Sequence, residues 1–214
     1  MLKDGEIIGN YEVLNKISQG GFGQVYKVKL VKLPKTFPKN LKLALNDKLA
    51  IKVESKQIKN NVLSLERDIL NKFYKNSYFM QCIEYQEYPN YYILVQNLGK
   101  TDLQSLVRSR PSKCLNFEST VRLSQYMIQG IKYLHEAGFI HRDIKLSNFL
   151  LADPPLNSDF SDRFIIKLID FGVAKRVITA NGILKTAEEA GKAKYVGTVS
   201  YSSIRAQELM VILI

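Results

Sequence analysis

Eight residues in the middle of the chain, His141-Arg142-Asp143-Ile144-Lys145-Leu146-Ser147-Asn148, restrict what it can be more than any other stretch. They match the pattern H-R-D-x-x-x-x-N. Each polar residue answers one demand of group transfer to a hydroxyl. The carboxylate of Asp143 suits orienting and deprotonating an attacking hydroxyl. The ammonium of Lys145 suits neutralising charge that grows on a transferred phosphoryl group. The amide carbonyl of Asn148 is a hard oxygen ligand of the kind Mg²⁺ takes.

Three further motifs stand in a fixed order around this string. Ser18-Gln19-Gly20-Gly21-Phe22-Gly23-Gln24-Val25 reads as G-x-G-x-x-G-x-V with serine for the first glycine. Glycines let backbone amides approach phosphate oxygens without a Cβ in the way. Ala50-Ile51-Lys52 matches V-A-I-K. A lysine in an apolar strand loses hydration, which calls for an anionic partner, and Glu66 on the following helix is the candidate. Asp170-Phe171-Gly172 comes 27 residues after Asp143 and follows an apolar strand. Its carboxylate could bridge Mg²⁺ to β- and γ-phosphates, with Phe171 packed inward and Gly172 allowing the turn. Singly, a glycine hairpin, a lysine facing solvent with a surface acid, or a lone D-F-G is commonplace. In this order and spacing they make one signal.

The chain around the motifs changes character once. Strand patterns run over Tyr11 to Ile17, Val25 to Val31, Lys48 to Val53, Cys82 to Tyr85 and Tyr91 to Val95, with one helix pattern on Val62, Leu65, Ile69, Leu70 and Phe73. From there helices are expected over Thr101 to Arg110 and Phe117 to Ala137, the second stopped by Gly138. Short strands are expected at Phe139-Ile140, Phe149 to Ala152 and Phe164 to Ile169, and a polar loop from Arg176 to Lys194. The switch falls near Gln96 to Gly99.

Of the 214 residues 46% are apolar and 24% charged, values that exclude a disordered chain. No apolar run reaches the ~20 residues that span a bilayer. The net charge is +11, and seven lysines but only one acid, Asp47, lie between Lys27 and Lys48. That stretch, with Pro34 and Pro38, reads as an exposed basic loop. Without aromatic interleaving it gives no reason to expect nucleic-acid binding. Cys82 and Cys114 have no metal-like spacing, and Met1 to Gly9 is no secretory signal, so free thiols in a reducing compartment are expected.

With these residues the chain resembles a eukaryotic protein kinase, and more narrowly the casein kinase 1 group and its tau-tubulin kinase branch. The likeness is carried by Ile51 to Ser55, Gly138 to Lys145, Ser147-Asn148-Phe149, Leu168 to Lys175 and Gly197 to Ile204, and it runs from about Tyr11 to Gln207. It implies an α+β, bilobal kinase-like fold, with a strand-rich N-lobe over 1–98 and a helical, incomplete C-lobe over 99–214. It implies transfer of the ATP γ-phosphoryl group to Ser or Thr of proteins, with Mg²⁺. Asp143, Lys145, Lys52 and Glu66 would act in catalysis, and Asn148 and Asp170 on the metal. Ser18, Gln19, Gly20, Gly21, Phe22, Gly23, Val25, Ala50, Lys52 and Leu150 would surround the nucleotide. Gln96 to Leu98 would form the hinge and Val95 the gatekeeper. The implied partners are acidic or cytoskeletal protein substrates, with neither nucleic acid nor membrane, for a monomer of the cytoplasm and nucleus.

The sequence also departs from that family. Ser18 replaces a glycine, and the basic loop is longer than usual. Ser200 replaces an arginine that helps hold an anion near the substrate, a role left to Lys192, Lys194 and Arg205. Thr198 is expected to bond within the catalytic loop. The family continues into a helix with a buried Asp, whereas this sequence ends on the apolar Leu209 to Ile214, as in a fragment or a shortened form. The competing reading is a kinase-like module that binds nucleotide or a partner and transfers little.

Overall fold

The computed structural model describes residues 2–20, 23–33, 43–57, 61–153, 164–179, 181–186, 195–204 and 206–207. The chain divides into two compact units, Met1–Gly99 and Lys100–Ile214.

The first unit is an antiparallel sheet of β1 (Ile7–Ile8), β2 (Tyr11–Gly20), β3 (Gly23–Leu30), β4 (Lys48–Ser55), β5 (Cys82–Glu87) and β6 (Tyr91–Asn97), in the order β1-β2-β3-β4-β6-β5. Alternation along the strands separates two faces. On one, Tyr26, Val28, Ile51, Ile93 and Val95 lock together at 0–1% exposure. Burying each aliphatic side chain there contributes about 1.5–3 kcal/mol. On the other face Val25 stands opposite Lys52, and Ala50 opposite Gln96.

Helix α1 (Val62–Lys72) reaches β4 on this second face through side chains described below. Asn61 caps it, accepting from Ser64 N at 2.9 Å. Its apolar stripe of Val62, Leu63, Ile69 and Leu70 is buried, and Glu66 is buried with it.

The second unit holds α2 (Leu103–Arg108), α3 (Phe117–Glu136) and two small antiparallel sheets. One has the order β10-β9-β7, the other β11-β8, from β7 (Thr101–Asp102), β8 (Phe139–Ile140), β9 (Phe149–Ala152), β10 (Ile165–Leu168) and β11 (Lys175–Arg176). The helix expected from Thr101 starts later. Thr101 and Asp102 pair with Leu151 and Leu150, and Asp102 turns its carboxylate to Ser105 N at 2.8 Å as the helix cap. A residue serving as cap has left helical geometry, so the helix cannot begin before it.

Helix α3 forms over the span its periodicity indicates, and Gly138 at φ +81° follows it. A side chain at Gly138 would collide with Ile178, its Cβ 2.1 Å from Cδ1. Leu123, Gly130 and Leu134 are buried, while Phe117, Val121 and Ile128 stand 84%, 41% and 66% exposed. The segment read as a polar loop, from Arg176, begins on the second residue of β11 and holds a bridge between Ile178 and Leu184.

Candidate active site

Strand pairing assembles a cluster of candidate site residues in the second unit. One loop joins β8 to β9 and carries residues 141–148. Another joins β10 to β11 and carries Asp170. Because β8 pairs with β11 and β9 with β10, the two loops emerge side by side. Ile169 is gripped between them: its N–H donates to Asn148 O at 3.0 Å, and its carbonyl faces His141 Nε2 at 2.9 Å. His141 Nδ1 accepts from Asp143 N at 3.3 Å, which makes Nε2 the protonated nitrogen and donor. His141 and Phe171 are buried in contact, their rings 5.3 Å apart. Arg142 Nε bonds Val173 O. Arg142 and Asp170 hold φ of 70° and 66°, left-handed values that non-glycine residues keep only where surrounding bonds impose them.

Asp143 lies at the centre of these bonds. Lys145 Nζ is 2.8 Å from its Oδ2. Thr198 donates to its Oδ1 twice, from N at 2.9 Å and from Oγ1 at 2.7 Å, and accepts from Lys145 Nζ at 2.9 Å. Asn148 Nδ2 donates to the Asp143 carbonyl at 2.8 Å and to Oδ2 at 3.2 Å. Burial pushes the carboxyl pKa up, but the bonds from Lys145 and Thr198 outweigh it, and the net position is below the usual carboxylate range. Asp143 is therefore ionised at neutral pH, as a proton acceptor must be.

The first unit holds an ion pair within itself. Lys52 Nζ meets Glu66 Oε1, with their side chains 13% and 3% exposed. The strand lysine thus has the partner its apolar surroundings demand. Ser18, Gln19 and Gly20 lie on the exposed end of β2 facing Val25, Gln24 and Gly23 across the hairpin. Gly21 and Phe22 fall outside the described residues, as do residues 34–42 of the basic stretch, Lys192, Lys194, Arg205 and the 208–214 tail. Leu98 is half-buried after β6, and Leu150 is half-buried on β9, opposite Lys167.

Val95 requires correction. It pairs with Ile51 and is fully buried in the core on the face of the sheet away from Ala50 and Lys52. The residue in register with Ala50 is Gln96, 6% exposed, so Gln96 and not Val95 shares the sheet face of Ala50 and Lys52.

Comparison with known families matches the protein kinase domain over residues 11–205. The chain belongs to the protein kinase domain family. It is 33% identical to a probable serine/threonine-protein kinase of Dictyostelium discoideum over 200 residues, which is 94% of this chain and 37% of the relative. A putative serine/threonine-protein kinase of Caenorhabditis elegans is 29% identical over 206 residues, 95% of this chain and 55% of that one. The probable serine/threonine-protein kinase fnkE of D. discoideum is 29% identical over 171 residues, 78% and 12% of the two chains. The kinase domain here spans between about a tenth and about half of the length of these relatives.

The residues of this kinase domain fit a magnesium ion carried by phosphate. Among the described residues no three His, Cys, Asp or Glu cluster to hold a metal by themselves. Mg²⁺ keeps several waters and takes one or two protein oxygens besides phosphate. Asp170 offers a carboxylate oxygen, Oδ1, that accepts from Gly172 N across a long 3.4 Å. Asn148 has its amide nitrogen turned to Asp143, which leaves the carbonyl oxygen as the donor facing elsewhere.

Motif matching does not single out two further residues for the parts they play. Glu54 is wholly buried and accepts from Val62 N and Leu63 N at the start of α1. Its place two residues after Lys52, on the same strand face, was the available signal. Gly197, at φ +110°, passes so near Arg142 that a Cβ would sit 2.4 Å from its carbonyl oxygen. That approach lets Thr198 reach Asp143.

Proposed function

We propose that this kinase domain transfers the γ-phosphoryl group of ATP to serine or threonine hydroxyls of protein substrates. The arrangement that supports this most is Asp143 held ionised by Lys145 and Thr198 beside Asn148. In this reading Asp143 aligns the hydroxyl and takes up its proton as the oxygen attacks. Lys145, already beside that carboxylate, neutralises charge gathering on the phosphoryl oxygens. Lys52, steered by Glu66, holds the α- and β-phosphates. Asn148 and Asp170 would hold Mg²⁺, which supplies charge neutralisation on the phosphates. Val25, Ala50 and Gln96 share a sheet face suited to the adenine.

We further assign the domain to the casein kinase 1 group and its tau-tubulin kinase branch, on the motifs from Ile51 to Ser55 and Gly197 to Ile204. A net charge of +11 favours acidic protein substrates. Two measurements test the function: thermal stabilisation by Mg-ATP, and transfer of label from γ-labelled ATP to casein and to tubulin. Stabilisation together with labelling of a protein serine or threonine is expected. Stabilisation with no label on either substrate would instead establish a nucleotide-binding module.

A further inference from the structure

A buried carboxylate is costly unless its oxygens are satisfied. Glu54 is 0% exposed, and its two oxygens accept from Val62 N at 3.0 Å and Leu63 N at 2.8 Å. Both donors belong to the first turn of α1, where backbone N–H groups have no partner within the helix. The positive end of the helix adds to the attraction. Asn61 already caps the same helix end from its own segment, through Ser64 N. Glu54 differs because it comes from another element.

That difference has a geometric consequence. Glu54 and Lys52 are two apart on β4 and share a face. Glu66 is four residues beyond Val62 and three beyond Leu63, hence one turn along the same side of α1. Strand β4 therefore grips α1 twice, with Glu54 at the first turn and Lys52 one turn later. A cap such as Asn61 can start the helix but cannot set its register against the strand. We infer that Glu54 is a positioning residue, which fixes α1 on β4 so that Glu66 meets Lys52. The inference rests on the kinase reading for its consequence in catalysis, and on the fold alone for the contact itself.

The test uses the full chain with Glu54→Ala, Glu54→Asp and Glu66→Gln. Amide exchange at Val62 and Leu63 is followed by NMR, together with the Lys52 Cε resonance, assigned by its loss in Lys52→Arg. Glu54→Ala is expected to speed exchange at the two amides by about tenfold to a hundredfold, the worth of hydrogen bonds to a charged group. It should also move the Lys52 resonance in the direction that Glu66→Gln moves it. In the phosphotransfer assay kcat should fall with little change in KM for the protein substrate. Adding Glu54→Ala to Glu66→Gln should cost no further activity. Glu54→Asp, which keeps both oxygens, should recover part of each effect, and it serves in place of the alanine variant if that fails to fold. Faster amide exchange with the Lys52 resonance unmoved would overturn the inference and leave Glu54 a helix cap only. If the resonance moves as expected but the wild-type chain transfers no phosphoryl group, the kinase reading fails while the positioning of Glu66 by Glu54 stands.

Discussion

Thr198 donates its hydroxyl to Asp143 Oδ1 across 2.7 Å, although 55 positions separate the two in the chain. The same hydroxyl accepts from Lys145, so the side chains of Thr198 and Lys145 close a ring with the Asp143 carboxylate. The ring keeps Asp143 charged and points it, and it depends on a segment far away in sequence.

Replacing Thr198 with valine removes one of the two Thr198 donors and leaves the backbone one. Asp143 is then expected to titrate closer to its ordinary value. A carboxyl with a lowered folded pKa contributes stability that is fully present above the unfolded pKa of about 3.9. That contribution is lost as pH falls through the folded value. The stability gap between wild type and Thr198→Val should accordingly be constant at neutral pH and narrow below about pH 4. Chemical unfolding at a series of acid pH values reads this directly; a gap that widens on acidification would contradict the assigned role of the ring.

Asp143→Asn keeps the size of the side chain and removes the proton acceptor. Transfer should drop by about a hundredfold or more, the usual worth of general base catalysis. Thermal stabilisation by Mg-ATP should persist, because in the proposed function the base serves the hydroxyl and not the nucleotide. Equal loss of both would show that Asp143 is needed for binding.

Lys52→Met leaves the Glu66 carboxylate, 3% exposed, without the ammonium that now faces it. Removing one member of a buried pair typically costs about 3–5 kcal/mol, whereas replacing both with apolar residues is often neutral. The double variant Lys52→Met/Glu66→Leu should therefore unfold at a higher denaturant concentration than Lys52→Met alone. Both should be inactive in transfer. A double variant less stable than the single would mean that the pair holds the fold together and is not simply a cost the site tolerates.

Gly197→Ala should be destabilising out of proportion to one methyl group. The backbone there has φ +110°, and the new Cβ would meet Arg142 O at 2.4 Å. A side chain in left-handed backbone costs about 1–2 kcal/mol before the collision is counted. Activity should fall as well, since Thr198 follows directly. An alanine variant with wild-type stability and turnover would show that 197–198 can reach Asp143 by another path.

Lys167 is buried on β10, and burial lowers its pKa to about 8. The unfolded chain holds that proton up to about pH 10.4, so between about pH 8 and 10 it binds more protons than the folded chain. The Lys167 contribution to stability should then rise with pH over this window, by up to about 1.4 kcal/mol per pH unit. Melting curves of wild type and Lys167→Met, compared between pH 7 and 9.5, should converge as the wild type gains. Parallel curves would mean that Lys167 keeps its charge in the folded state.

Much of the site could be read along the chain because each motif is local. Alternation marks β4 as a strand, so Lys52 had to lose hydration and find an acid. Periodicity over Val62 to Phe73 placed Glu66 among apolar neighbours, where that acid was waiting. The His141 to Asn148 string and Asp170 carry their chemistry in residue type and spacing alone. Other features depend on register and on approach between distant segments. A shift of one position moves a strand residue to the other face of its sheet, and only the pairing of β4 with β6 puts Val95 in the core and Gln96 opposite Ala50. The start of α2 was decided by Thr101 and Asp102 pairing with β9, a contact about fifty residues away in sequence. The two bonds from Glu54 to α1, and the passage of Gly197 beneath Arg142, exist only once separate segments pack. Residue types and their spacing determined which chemistry this chain carries; packing decided which neighbours hold those groups in place, because burial and contact are properties of the folded chain and not of local order.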